Sequence, residues 1–120
     1  MIQPTKLLGN KGEEIVAEWL IKHGATILAR NFQTRLGEVD IIATKGDVVA
    51  FVEVKTRSTE YFPISQTVTY PKQLRIIKAA KKFILTTQLQ DKIFRFDVAT
   101  VAFEDGEHTI QYIRDAFRSG

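Results

Sequence analysis

Two carboxylates and an ammonium stand at spacings that bring them together in a hairpin. Asp40 opens one apolar run, and Glu53 and Lys55 close the next. Alternate residues of a strand share a face, so Glu53 and Lys55 project to one side while Val52 and Val54 project to the other. The segment Thr44-Lys45-Gly46-Asp47 has turn chemistry. If that turn is tight, the preceding strand folds back with Asp40 opposite residues 51–53. Two anions and a cation then meet on otherwise apolar strands, where charge is costly unless it is paired or binds a metal. A divalent ion would relieve the repulsion between the carboxylates. Oxygen ligands of this kind suit Mg²⁺, which keeps several waters and uses few protein groups; Mn²⁺ is the alternative. Such an ion polarises a phosphate and acidifies a water, with Lys55 helping to generate the nucleophile or to stabilise transition-state charge.

The plain alternative is a surface ion pair: a Glu-x-Lys on an edge strand, with Asp40 merely a carboxylate near a turn. Three features weigh against it. The run Val48-Val49-Ala50-Phe51-Val52 is too apolar for an edge and marks a central strand covered on both faces. Asp40 is at hairpin distance. Gly37 precedes it where a backbone bend is useful.

The elements that must position these groups follow from periodicity and punctuation. A first helix is expected from near Lys11, with Asn10 as N-cap, Glu13 closing a capping box and Gly24 just past the end. Strands are expected at Thr26 to Phe32, Val39 to Ala43 and Val48 to Thr56. Residues 58–71 read as a loop. Pro71 suits the first turn of a helix reaching about Thr87, with Ile76, Ile77, Ala80, Phe83 and Ile84 on one arc and basic residues on the other. Phe94 to Phe103 and Thr109 to Ile113 complete the order, joined by a turn at Glu104-Asp105-Gly106-Glu107.

Composition narrows the class. With 120 residues and 44% hydrophobic side chains, the chain fits one domain, 1–120, around one core. There is no cysteine, which excludes disulfides and thiolate metal sites. No apolar run approaches the roughly 20 residues of a membrane span, and the first ten residues do not resemble a signal peptide, so a cytoplasmic protein without membrane partners is expected. The net charge is +3, and Lys72, Arg75, Lys78, Lys81 and Lys82 fall between Pro71 and Lys82 without an acid among them. Such a surface attracts phosphate, or is simply a solvated helix face. No Walker glycine pattern, dinucleotide fingerprint or Ser-His-Asp arrangement appears, and His23 and His108 lack ligand-like spacing.

Further residues border this constellation. Glu14 shares a helix ridge with Ala17 and Ile21 and so flanks the apolar side, whereas Glu18 pairs with Lys22 in solvent and Glu13 has its capping role. Glu38 faces as Asp40 does and ranks below it. Lys72 lies at the margin of its helix's apolar arc, able to reach inward. Arg57, Arg75, Lys78 and Lys82 are the candidates for phosphate contact. Asn31 reads as a cap or turn residue. Tyr61 and Phe62 either stack on bases or pack the loop down. Tyr112 and Phe117 look like core or an interface.

These residues carry a resemblance. Glu14, the Gly37-Glu38-x-Asp40 step, Phe51-Val52-Glu53-Val54-Lys55-Thr56-Arg57 and Lys72 resemble the nuclease superfamily with an Asp…Glu-x-Lys signature, the fold of restriction endonucleases and archaeal Holliday junction resolvases. More narrowly, the chain resembles the bacterial YraN family (UPF0102) from about Gly9 to Val101. Glu14 and Ala17 meet the family's first-helix pattern, Arg30-Asn31 its Arg-Asn, and Arg95-Phe96-Asp97-Val98 its Arg-x-Asp-Val, with no departure at the motif positions. The resemblance implies an α/β fold, a restriction-endonuclease-like αβββαβ core with a central mixed sheet flanked by helices. It implies an endonuclease acting on branched or structured DNA. Asp40, Glu53 and the Val54 carbonyl would hold the metal, Lys55 would be the catalytic lysine, Glu14 would reach the metal or its water, and Lys72 would be an auxiliary polar group. A symmetric junction would suit a homodimer. Competing readings are a DNA-binding module without catalysis, which needs the basic helix but not the carboxylates, and an accessory protein docking on a DNA-processing partner through its last strand and aromatic tail.

Overall fold

The Gly46-Asp47 turn is tight, with Gly46 at φ +59°, and it sets the sheet. The computed structural model describes residues 5–57 and 68–119, with side chains from Asn10 onward. The order is α1 (Thr5–Lys22), β1 (Thr26–Gln33), β2 (Glu38–Lys45), β3 (Val48–Arg57), α2 (Tyr70–Thr87), β4 (Ile93–Glu104) and β5 (Glu107–Phe117). The five strands lie in sequence order across one sheet. β3 pairs antiparallel with β2 and parallel with β4, and the two outer pairings are antiparallel, so the sheet is mixed. β3 is central, as its unbroken apolar run required.

The helices cover opposite faces. Under α1, Val16, Ala17 and Leu20 pack on Ile41, Ala43, Ala50, Val52, Ala99 and Val101. Under α2, Ile76, Ala80 and Phe83 pack with Ile42, Val49, Phe51, Phe96 and Val98. Phe51 is wholly buried and stacks on Phe96 at 5.6 Å between centroids. Truncating such a side chain to Ala costs about 3–5 kcal/mol.

The punctuation acts largely as expected. Ala25 N donates to Leu20 O and Gly24 N to Ile21 O, with Gly24 at φ +93°, which closes α1 in a Schellman arrangement. Thr69 caps α2, its hydroxyl accepting from Lys72 N, and Pro71 sits in the first turn. Asp105 and Gly106, both at positive φ, form the β4–β5 turn. Two boundaries differ by more than two residues. β5 runs on to Phe117 rather than ending at Ile113. α1 begins at Thr5 rather than near Lys11, so Asn10 is interior and no capping box forms with Glu13. Asn and Gly inside a helix cost only about 1 kcal/mol or less each, which tertiary packing of the apolar face overrides. Tyr61, Phe62 and most of the expected loop lie outside the described residues.

Candidate active site

The site forms where β2 and β3 stop pairing. Their register runs from Lys45–Val48 to Ile41–Val52, and its continuation sets Asp40 across from Glu53. Beyond the ladder's end, the backbone N–H of Val54 donates to Asp40 Oδ2 at 2.8 Å, so a side chain ties the strands where the backbone no longer does. The Asp40 carboxyl also lies against the Glu53 carboxylate, which favours a proton on Asp40. Glu53 is 2% exposed. Its Oε2 lies 3.4 Å from Lys55 Nζ and 3.6 Å from Lys72 Nζ. Thus Asp40, Glu53, Lys55 and Lys72 converge from β2, β3 and α2.

Two glycines seat the helices against this point. A Cβ on Gly37 would collide with the backbone carbonyl of Arg75, so the β1–β2 turn and α2 touch through bare backbone. The role of Gly37 is therefore close approach rather than a bend. A Cβ on Gly12 would collide with Thr56 Oγ1, so α1 lies equally close to the end of β3. That contact presents the next residue, Glu13, to the site.

Glu13, and not Glu14, is the helix carboxylate that faces Asp40. Glu14 is exposed and pairs with Arg30 at 2.8 Å. Glu13 is partly buried, feels the charges of Asp40 and Glu38 and the polar side chain of Asn31, and leaves its Oε1 buried without a hydrogen-bond partner among the described residues. Burial, then repulsion from Asp40, hold its carboxyl above the usual range against the opposing pull of Arg30 and Asn31. The ridge with Ala17 and Ile21 favours Glu14 only while Glu13 serves as a cap, a role that the longer helix removes.

Asn31 is the other residue whose part the sequence concealed. Its φ is +52°, a left-handed conformation that Asn tolerates better than most residues. The strand alternation inverts there. Arg30 reaches α1, whereas Phe32 packs edge-on against Phe83 of α2. In β2 the same inversion separates Ile41, under α1, from Val39, under α2. Asp40 and Asn31 occupy the row between. An Arg-Asn pair with the second residue in the left-handed region was the available signal.

Burial, then the hydrogen bond to Glu53 and its charge, push the Asp40 carboxyl up to about 8, against the single lowering effect of the Val54 N–H. A site that must protonate one acid to tolerate the other favours a cation of higher charge. The donor set fits Mg²⁺ or Mn²⁺ in part: Asp40 and Glu53 are hard oxygen donors, the Val54 carbonyl lies between Glu53 and Lys55 in sequence, and Glu13 has an unsatisfied oxygen. Among the described residues no three acidic or histidine side chains close on one point. An ion would rest on the two carboxylates and complete its shell with water, which is the habit of Mg²⁺.

The remaining candidates lie outside this cluster. Arg75, Lys78 and Lys82 are exposed on the outward side of α2. Arg57 is partly buried and donates to the Thr56 carbonyl at 3.2 Å. Gln33 Nε2 donates to Glu38 at 3.3 Å. Asp97 is fully buried away from the metal candidates. It accepts from Arg95 at 2.9 and 3.0 Å, Tyr112 Oη at 2.6 Å and Asp115 N at 2.9 Å, clasping β5 to β4.

The αβββαβ order, the mixed sheet with a central β3 and the helices on either face define an α/β domain with a restriction-endonuclease-like core. The chain belongs to the uncharacterised protein family UPF0102, the YraN family, whose model matches residues 12–101. A UPF0102 protein of Caldicellulosiruptor bescii is 46% identical over 117 residues, covering 93% of this chain and 98% of that protein. One from Clostridium tetani is 40% identical over 116 residues, covering 94% and 95%. One from Myxococcus xanthus is 38% identical over 113 residues, covering 93% and 90%. No helix among the described residues is long and apolar enough to cross a membrane.

Proposed function

We propose that this protein is a divalent-metal-dependent endonuclease that hydrolyses phosphodiester bonds in DNA, with branched or structured DNA as the favoured substrate. The observation that carries this reading is Asp40 set against the buried Glu53 at the fork of β2 and β3, with two ammonium groups within 3.6 Å of Glu53. A structural ion pair needs one acid and one base; two acids held this close in low dielectric store repulsion that a divalent ion relieves. Bound there, the ion would supply Lewis-acid polarisation of the phosphate and a more acidic water.

The chain's own groups then have distinct tasks. Asp40 and Glu53 would hold the ion, which requires both carboxyls in their anionic form. Lys55 and Lys72, which face the Glu53 carboxylate, are the ammonium groups placed to meet a phosphate. Lys55 stabilises the charge that grows on the phosphoryl oxygens or takes part in deprotonating the nucleophile. Glu13, with its unpaired oxygen, orients water on the α1 side. The exposed Arg75, Lys78 and Lys82 contribute phosphate contacts that position DNA without reading its sequence. The preference for branched DNA rests on likeness to junction resolvases, as does a homodimer making paired cuts.

The test is incubation with linear, flapped and four-way DNA in Mg²⁺ or Mn²⁺, beside Asp40→Asn and Lys55→Ala. Cleavage by the parent that both variants lose, with DNA binding retained, is the expected result. Binding by all three proteins with no cleavage by any would leave a DNA-binding module instead.

A further inference from the structure

A cavity of about 300 Å³ opens on the α1 side of the sheet, toward the β2–β3 turn. It is separate from the carboxylates. Its floor includes Ala43 and Ala50, which pack under α1, whereas Glu53 is reached by Lys72 from α2 on the other face. The hollow has a sequence cause. Ala43 pairs with Ala50, and Ala50 with Arg95, so two methyl groups stand side by side in a row where larger residues would fill the space beneath α1. Its volume is at the lower end for small-molecule sites, which run from about 300 to 1,000 Å³.

The walls have a definite chemistry. Lys45, Arg95 and Arg114 line the cavity, and among the described residues no carboxylate does. Arg95 is balanced by Asp97 behind it, and Lys45 donates to the His23 carbonyl at the end of α1. Arg114 is exposed and makes no hydrogen bond or ion pair among the described residues. The excess is therefore positive, with Arg114 uncommitted. The same cavity is lined by a stack of three rings: His23 on Trp19 at 4.0 Å and Trp19 on Tyr112 at 4.8 Å between centroids. With His23 Nδ1 donating to the Trp19 carbonyl, Nε2 is the nitrogen left to accept a hydrogen bond.

From this geometry we infer a binding site for a small anion with a planar aromatic body, of which a nucleoside monophosphate is the fitting class. The ring extends the aromatic stack, Arg114 and Lys45 meet the phosphate, and His23 Nε2 accepts from an exocyclic amine. The same chemistry is presented by a free nucleotide and by the 5′-phosphorylated end of a DNA strand. This inference goes beyond the nuclease reading and does not depend on it.

Trp19 is the chain's one tryptophan and forms a wall of the cavity, so its fluorescence reports occupancy directly. The full chain is titrated in EDTA with each deoxynucleoside monophosphate, with the matching nucleosides and with inorganic phosphate. The expected result is saturable change with a nucleotide, at least about tenfold tighter than with either fragment. Arg114→Gln, on an exposed side chain that leaves folding intact, weakens the nucleotide about tenfold, and Ala50→Leu, which fills the floor, abolishes the change. Asp40→Asn leaves it unaltered. A 5′-phosphorylated trinucleotide binding more tightly than the free nucleotide identifies a strand end as the occupant, and weaker binding identifies the free nucleotide. No saturable change up to about 10 mM, equal response to nucleoside and nucleotide, or loss of the response in Asp40→Asn would each overturn the assignment.

Discussion

Asp40 Oδ2 accepts a 2.8 Å hydrogen bond from the Val54 backbone N–H, one residue past Glu53, its neighbour across the strands. This single contact holds one carboxyl against another at a point where the ladder has ended. The chain maintains a repulsive pair with main-chain geometry, and the consequences can be measured.

The pH dependence of stability follows first. The folded chain keeps a proton on Asp40 up to about 8, from an ordinary value of 3.8. Between these values the unfolded chain has released that proton, so metal-free stability falls as pH rises through this window and levels off above it. Asp40→Asn carries no titrating group and lacks that slope. Thermal melts in EDTA from about pH 5 to 9 should show the variant's advantage widening with pH. Parallel pH profiles for the two proteins would refute the assignment.

Glu13 and Glu14, adjacent in sequence, should separate cleanly. Glu13→Gln is expected to weaken metal binding or cleavage about tenfold or more, as loss of an outer-shell partner does. Glu14→Gln breaks an exposed pair with Arg30 and should change stability by about 0.5 kcal/mol or less, with metal binding untouched. Titration with Mn²⁺ and urea melts of both variants decide it; a larger loss in Glu14→Gln reverses the roles.

This pair also shows how far the sequence carries. The meeting of Asp40 and Glu53 was legible to within residues 51–53, because a turn within Thr44–Asp47 folds β2 back on β3 and the alternation of β3 sets Glu53 and Lys55 on one face. The inward reach of Lys72 was legible from its place on the helix margin. Glu13 was hidden by a helix that starts six residues earlier than its local signals indicate, since the start depends on packing. Asn31 was hidden because one left-handed residue inverts the alternation on which the facing argument relies. The clasp around Asp97 was invisible because its partners Tyr112 and Asp115 lie on a strand whose register only the fold fixes.

The glycine contacts predict unequal responses. Gly37→Ala places a methyl on the Arg75 backbone carbonyl, which cannot rotate away, and should cost about 1–3 kcal/mol and displace Lys72 from Glu53. Gly12→Ala meets only the Thr56 hydroxyl. Thr56→Ala should therefore rescue Gly12→Ala. Urea melts of the single and double variants test this, and failure of the rescue would place the Gly12 constraint in the backbone.

Asp97→Ala should uncouple structure from chemistry. It strips Arg95, Tyr112 and the Asp115 N–H of their shared buried acceptor and is expected to cost about 3–5 kcal/mol. Mn²⁺ affinity of the fraction still folded in the cold should match the parent. A specific loss of metal binding without loss of stability would give Asp97 a part in the site that its surroundings do not support.

The central claim is that Asp40 and Glu53 hold a divalent ion by exchanging a proton for it. Calorimetric titration of the intact protein with Mn²⁺ at about pH 7, in buffers of different ionisation heat, measures both quantities at once. The account predicts saturable binding with release of about one proton, lost in Asp40→Asn. Binding of equal strength in that variant, or no binding by the parent, would contradict it.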